Sequence, residues 1–209
     1  MEIKYVASLG TLCHTANFLK TIGFKLESYP FDWIFSNQNT VIDCIEDDFK
    51  KFLDKTYYID ISKTKCGHSL YDKRLFNHRN PLMSEQDYEY YMRCCDRFKH
   101  LLQQEEHKLF IIMFINMTKI DENIKNNIID FNNKLSKYTN NYTLLVIFNL
   151  SKKPTNDAIF TYNENIHFLE LHTTTISNGL GFASADDNKY MSDIIKSKYT
   201  FNLNPVSEV

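Results

Sequence analysis

Apolar and polar positions along the chain fall into two kinds of segment that alternate. Apolar-rich runs occupy residues 3–9, 109–115, 143–148 and 166–171, and the one at 109–115 is continuous. A run without polar alternation is the signature of a strand covered on both faces. Between these runs the apolar residues return at helical spacing. Leu12, Ala16, Leu19 and Ile22 form one such face, closed by Gly23 where a left-handed residue is needed. Val41, Ile42, Ile45, Phe49, Phe52 and Leu53 form a second. Ser84 with Asp87 three residues later marks a helix start, and Tyr88, Tyr91, Cys95, Phe98 and Leu102 carry that helix to about Glu106. Asp121 caps a fourth, with Ile124, Ile128, Phe131 and Leu135. Asp186 and Asp187 precede a last one carrying Tyr190, Met191, Ile194 and Ile195. Residues 56–83 follow neither period.

Strands separated by helices imply parallel pairing, because a parallel crossover needs a dozen or more residues. The pattern predicts a single α/β domain over residues 1–209. It has three layers around an open, mostly parallel sheet, with an irregular insert at about 56–83 over the sheet's carboxyl edge. Ligands of such sheets bind at the carboxyl ends of the strands near a switch point. That rule directs attention to the turn after the first strand and to the segments after Ile115, Phe148 and Leu171. Asn116 opens one of them.

Composition narrows the function classes. The formal charge is −2, so there is no basic excess to neutralise phosphates, and no nucleic-acid partner is expected. Five cysteines, an odd number with no framework spacing, fit a reducing compartment. Met1-Glu2-Ile3-Lys4-Tyr5 shows no basic segment followed by an apolar one, so no signal peptide is expected. The run at 109–115 is too short to span a bilayer. The expectation is a cytoplasmic protein with no membrane span. Asn, Ile and Lys number 21, 20 and 20 against 5 Ala and 4 Arg. That bias follows AT-rich codons, as in an AT-rich bacterium or a large DNA virus, and deprives the two Asn-x-Thr sequons, at Asn116 and Asn141, of significance.

The most informative stretch is Ser8-Leu9-Gly10-Thr11-Leu12-Cys13-His14. It runs from a buried strand through a glycine turn into a helix and puts Cys13 in the first helical turn. There the free backbone N–H groups and the positive end of the macrodipole favour a thiolate and can hold an oxyanion. The same position also suits a cysteine that is only a small buried hydrophobe. Ser8, Gly10, Thr11 and Leu12 would shape the site, while His14 points elsewhere because consecutive helical residues do not share a face. A lone Gly10 makes no phosphate loop.

A cysteine nucleophile needs a histidine near it in space. His78, followed by Asn80, offers base and orienting amide; His68 is the reserve. In Tyr29-Pro30-Phe31-Asp32-Trp33, Phe31, Trp33 and Phe35 alternate as in a short strand. Asp32 there needs a partner, either backbone N–H groups of the next helix or a histidine that it orients. A zinc set of Cys13, His14, Cys66 and His68 lacks any C-x-x-C or H-E-x-x-H pattern, so no metal is expected. No Asp-x-Asp, G-x-S-x-G or Asp-x-x-His element is present.

Ser8-Leu9-Gly10 with Cys13, then Tyr29-Pro30-Phe31-Asp32-Trp33, then Phe76-x-His78, resemble a family described as putative papain-like cysteine peptidases. Its members occur in bacteria and large DNA viruses, often near glycan-assembly genes. The resemblance is strongest over residues 5–82. It implies Cys13 as nucleophile, His78 as base and Asp32 or Asn80 as orienting group. Papain-like folds, however, carry the His and Asn on a later antiparallel sheet, whereas His78 here precedes helix-separated strands. The pattern looks more like a Rossmann-like or GDSL-like sheet with a cysteine at its first turn. The leading expectation is a cysteine-nucleophile hydrolase or acyltransferase acting on a small-molecule, peptide or glycan substrate, with His14, Trp33, His68 and Asn116 near its binding site and no cofactor. A transferase of surface-glycan assembly, using coenzyme A or a nucleotide sugar, is the alternative. A non-catalytic binding module with a structural Cys13 is the third reading.

Overall fold

The computed structural model describes residues 2–206. The first apolar run is two strands, β1 (Glu2–Ile3) and β2 (Tyr5–Ser8), broken at Lys4. Helices α1 (Cys13–Thr21), α2 (Gln38–Glu46) and α3 (Lys50–Leu53) follow, then a 3-10 turn (Lys55–Tyr57) and the strands β3 (Tyr58–Ser62) and β4 (Lys65–His68). Next come α4 (Glu85–Gln103), β5 (Lys108–Met117), α5 (Glu122–Leu135) and β6 (Tyr142–Leu150). The chain continues through β7 (Asp157–Asn163), β8 (Ile166–His172), α6 (Ala185–Lys198) and β9 (Thr200–Phe201).

The main sheet has five strands in the order β2-β5-β6-β8-β7. Four are parallel; β7 pairs antiparallel with β8. The pleat sends alternate side chains to opposite faces. Leu109, Ile111 and Met113 of β5 pack with Phe18 and Leu19 of α1 and Met191 and Ile195 of α6. Phe110 and Ile112 pack on the other face with α2, α4 and α5. Three layers result, as expected. All nine residues of β6 are buried, which is why its sequence shows no alternation.

Several expectations are corrected. The insert at 56–83 is not wholly irregular: β3 and β4 form an antiparallel hairpin. The helix read over 41–53 is split in two, because Asp48 and Phe49 take positive φ (58° and 60°) and end α2's hydrogen-bond ladder. Residues 31–35 form a turn, not a strand. β7 was missed because, as an edge strand, it turns mainly Ala158 and Phe160 inward and leaves Ile159 and Tyr162 exposed. The parallel strands lie in chain order with no reversal, so no switch point exists in this sheet. The cleft arises because α1 and α4, both between β2 and β5, lie on opposite faces, and the chain opens at the carboxyl end of edge strand β2.

Caps at α4 and α5 are those the sequence predicts: Ser84 Oγ accepts from Asp87 N and Asp121 Oδ1 from Asn123 N. For α6 the cap is Ser184, and Asp187 does something else. Its buried carboxylate accepts four hydrogen bonds, from the N–H and hydroxyl groups of Thr174 and Thr175, and so fixes the start of the loop that follows β8. Burial pushes the Asp187 carboxyl up, but the bonds from Thr175 and then Thr174 together outweigh it and hold it below its ordinary value.

A folded pKa below the unfolded one gives stability that is complete above about pH 4 and lost as pH falls through the folded value. Asp187→Asn should therefore lower unfolding free energy by about 1–3 kcal/mol at neutral pH, with the deficit shrinking in acid. Urea titrations at neutral and acidic pH measure both; equal stability of the two proteins at neutral pH would refute the latch.

Candidate active site

The turn after β2 places Cys13. Gly10 (φ +87°) and Thr11 (φ +78°) both take left-handed backbone, a strained state for threonine. Side chains hold them there. Ser8 Oγ accepts from Gly10 N at 3.2 Å, Ser36 Oγ accepts from Thr11 N at 3.4 Å, and the Thr11 hydroxyl donates to Met113 O. A Cβ on Gly10 would lie 1.8 Å from Ser36 Oγ, so both conformation and space demand glycine. The chain then passes through extended Leu12 into α1 with no side chain capping the helix. Among the described residues the only side chain acting on the first-turn N–H groups is the Cys13 thiol itself.

His78 arrives from the insert, held from both sides. Phe76 pairs with Cys66 across a short bridge, with backbone bonds of 3.1 and 2.9 Å. Arg79 forms an ion pair with Asp87 at 2.9 Å and stacks over Tyr90. Between these anchors, His78 Nε2 lies 3.1 Å from Cys13 Sγ. The Trp33 ring meets the imidazole edge-on, with centroids 6.2 Å apart. Burial pushes the Cys13 thiol up from its ordinary value; its own backbone N–H opposes this and the Asp32 charge adds to it. Desolvation thus outweighs the one backbone N–H that favours the thiolate.

The other candidates lie differently. Asp32 orients no histidine, nor does it cap the next helix: its buried carboxylate pairs with Lys25 and accepts from Tyr29 N at 2.8 Å. Asn80 also turns away from His78. Its amide donates to Ser62 O at 2.7 Å and its Oδ1 accepts from Leu82 N and Met83 N. Among the described residues no carboxylate or amide bonds the His78 ring, so Cys13 and His78 stand as a pair. His68 has both nitrogens occupied, Nδ1 by Leu70 N and Nε2 by Lys51 O, and its ring stacks on Tyr57 and Tyr71; it belongs to the hairpin's packing. His14 faces Ser177, not the thiol. Among the described residues no group of three His, Cys, Asp or Glu is placed to hold a metal.

The profile of one known family, described as putative papain-like cysteine peptidase, matches residues 4–141. The chain belongs to that family. No curated protein and no solved structure matches it. The matched residues include both members of the Cys13–His78 pair. His78 comes from the insert, after β2 and before β5, β6 and β8.

The roof of the site lies outside the matched residues. A cavity of about 480 Å³ surrounds Cys13 and His78. Its walls include Phe35, Asn77 and Ile115, and the loop 177–180 closes it. Asn116 pins that loop: its amide donates to Ser177 O at 2.8 Å and its Oδ1 accepts from Ser177 N at 2.7 Å. Asn116 itself has φ +56° and donates its N–H to buried Asn149. Asn116 is therefore a positioning residue for the roof. The sequence reading missed Ser177, Asn178 and Leu180; the only signal was Gly179 and Gly181 after a strand already marked for its carboxyl end.

Gly10→Ala should cost about 1–3 kcal/mol, since it adds a Cβ to a left-handed residue and drives it into Ser36. A chemical denaturation curve measures that cost. Ser36→Gly in the same background should recover the steric part and leave the conformational part; no recovery would show that the contact with Ser36 is not what demands glycine.

Proposed function

We propose that the protein is a cysteine-nucleophile enzyme of acyl transfer or hydrolysis, with Cys13 as nucleophile and His78 as general base. The observation that carries this reading is the 3.1 Å approach of Cys13 Sγ to His78 Nε2 inside a cavity at the sheet's carboxyl edge. Membership of the peptidase-like family supports it. A peptide or thioester-like bond is the substrate class that this chemistry fits.

The steps follow from the geometry. His78 Nε2 takes the Cys13 proton, and the thiolate attacks the acyl carbon. The carbonyl oxygen becomes an oxyanion, held by backbone N–H groups near Leu12 and Cys13, where no side chain competes for them. The imidazolium returns its proton to the leaving group as the bond to the acyl carbon breaks, leaving a thioester on Cys13. Water or an acceptor nucleophile then gives its proton to His78, attacks the thioester and frees the thiol. Trp33 packs the imidazole edge-on in place of a hydrogen-bonded third member.

Iodoacetamide should label Cys13 alone in the folded protein, because Cys44, Cys66, Cys94 and Cys95 are wholly buried. His78→Ala should slow that labelling about a hundredfold at neutral pH. In the variant the rate should recover only as pH climbs past the free-thiol value of about 8.5, since burial raises this thiol's pKa. Peptide mapping by mass spectrometry reads both. Cys13→Ala should abolish the burst of nitrophenol from an activated acyl ester such as p-nitrophenyl acetate. Labelling that is equally slow with and without His78 would make Cys13 structural and sink the proposal.

A further inference from the structure

α1 and α6 lie on the same face of the sheet. Between them opens a cavity of about 760 Å³, larger than the one at Cys13. The family reading assigns it nothing, and Cys13 and His78 do not line it. Phe18 and Ile22 of α1 and Leu180 of the roof loop give it apolar walls, while Ser192 and Lys196 of α6 face it with polar groups. His14 lines it too, and the state of that ring can be worked out.

Ser177 Oγ already accepts a hydrogen bond from Gly179 N at 3.0 Å and lies 2.8 Å from His14 Nδ1. Among the described residues the Ser177 hydroxyl has no other acceptor, and we take it to donate to Nδ1. Burial pushes the His14 pKa down to about 4, so the ring is neutral at ordinary pH. A neutral imidazole that accepts at Nδ1 carries its proton on Nε2. His14 Nε2 is buried and has no partner among the described residues. It is an orphaned donor, and such a group calls for an acceptor.

Of the other polar groups lining the cavity, Asn17, Thr21, Asn188 and Lys189 already donate within the fold, but two are left without an anionic acceptor. Asp193 is the only carboxylate lining it, and Asp193 is already paired with Lys189. Lys196 has no carboxylate partner among the described residues; its ammonium sits over the Phe24 ring at 5.7 Å. The Ser192 hydroxyl has no partner among them either. Three donors, one of them cationic, thus line the cavity with no unpaired carboxylate beside them among the described residues.

We propose that this cavity binds a small organic oxyanion, a carboxylate or a phosphate ester on an apolar body. One oxygen accepts the His14 Nε2–H, Lys196 meets the charge, and Phe18, Ile22 and Leu180 cover the body. The proposal does not depend on Cys13 being a nucleophile. Asn178 and Leu180 line both cavities, so the bound molecule touches the wall that roofs Cys13.

The test uses the full chain with benzoate and phenyl phosphate as probes, and benzyl alcohol as the uncharged control. Calorimetry reads affinity, and imidazole nitrogen NMR reads His14, whose signals are assigned by their loss in His14→Phe. Expected are binding of benzoate, of phenyl phosphate or of both, a downfield shift of the His14 Nε2–H, and about tenfold weaker binding in Lys196→Met. Cys13→Ser should bind as the wild type does. The stronger of the two anions identifies the headgroup. No binding of either anion at millimolar concentration would overturn the proposal. So would benzyl alcohol binding as tightly as benzoate, or binding that leaves the His14 signal and the Lys196→Met affinity unchanged. Should His14→Phe fail to fold, the Lys196→Met comparison alone still decides.

Discussion

The Gly10–Thr11 turn is the constraint on which the site rests. Two successive left-handed residues reverse the chain at the end of β2, and one of them is a threonine that would not hold this state alone. Ser8, Ser36 and the Met113 carbonyl over-determine it. The consequence runs directly to chemistry. The turn fixes where α1 begins, α1's first residue is Cys13, and the helix starts without a side-chain cap, so its N–H groups remain for another acceptor. Met113 lies in β5 and Ser36 just before α2, so the position of Cys13 is tied to the sheet and to the opposite layer at once.

The sheet supplies the rigid frame for that turn. β5 and β6 are buried on both faces, and their parallel pairing leaves the carboxyl ends of β2, β5, β6 and β8 together at one rim. The rim is closed by polar latches: Asn116 to Ser177, Asn149 to Thr173, and Asp187 to Thr174 and Thr175. Each is buried or half-buried and hydrogen-bonded, so each specifies a loop path at little cost. They carry a segment far along the chain over a cysteine near its beginning.

Desolvation decides the electrostatics. Burial raises the Cys13 pKa against the pull of its own backbone N–H. The same burial pushes the His14 pKa down to about 4, so that ring is neutral at ordinary pH. Consecutive residues of one helix thus serve two cavities, because a step of one residue turns the side chain about a quarter of the way round the axis.

Much of this was legible in the sequence. The apolar-rich runs marked β5, β6 and β8, and helical spacing with Ser84, Asp121 and Gly23 marked the helices and their ends, because burial period and capping are local properties. The strand–glycine–cysteine–helix turn pointed to Cys13, and the need for a histidine pointed to His78 with His68 in reserve. What spacing along the chain left open was which groups meet. Asp32 and Asn80 stand near the expected partners in sequence but spend their hydrogen bonds on Lys25, Tyr29, Ser62 and the turn at Leu82. The roof at Ser177 and the orphaned N–H of His14 join positions 163 residues apart. Residue period and turn chemistry act over a few residues and are written locally. The pairing of side chains across layers depends on how whole elements pack, and only the tertiary structure determines that.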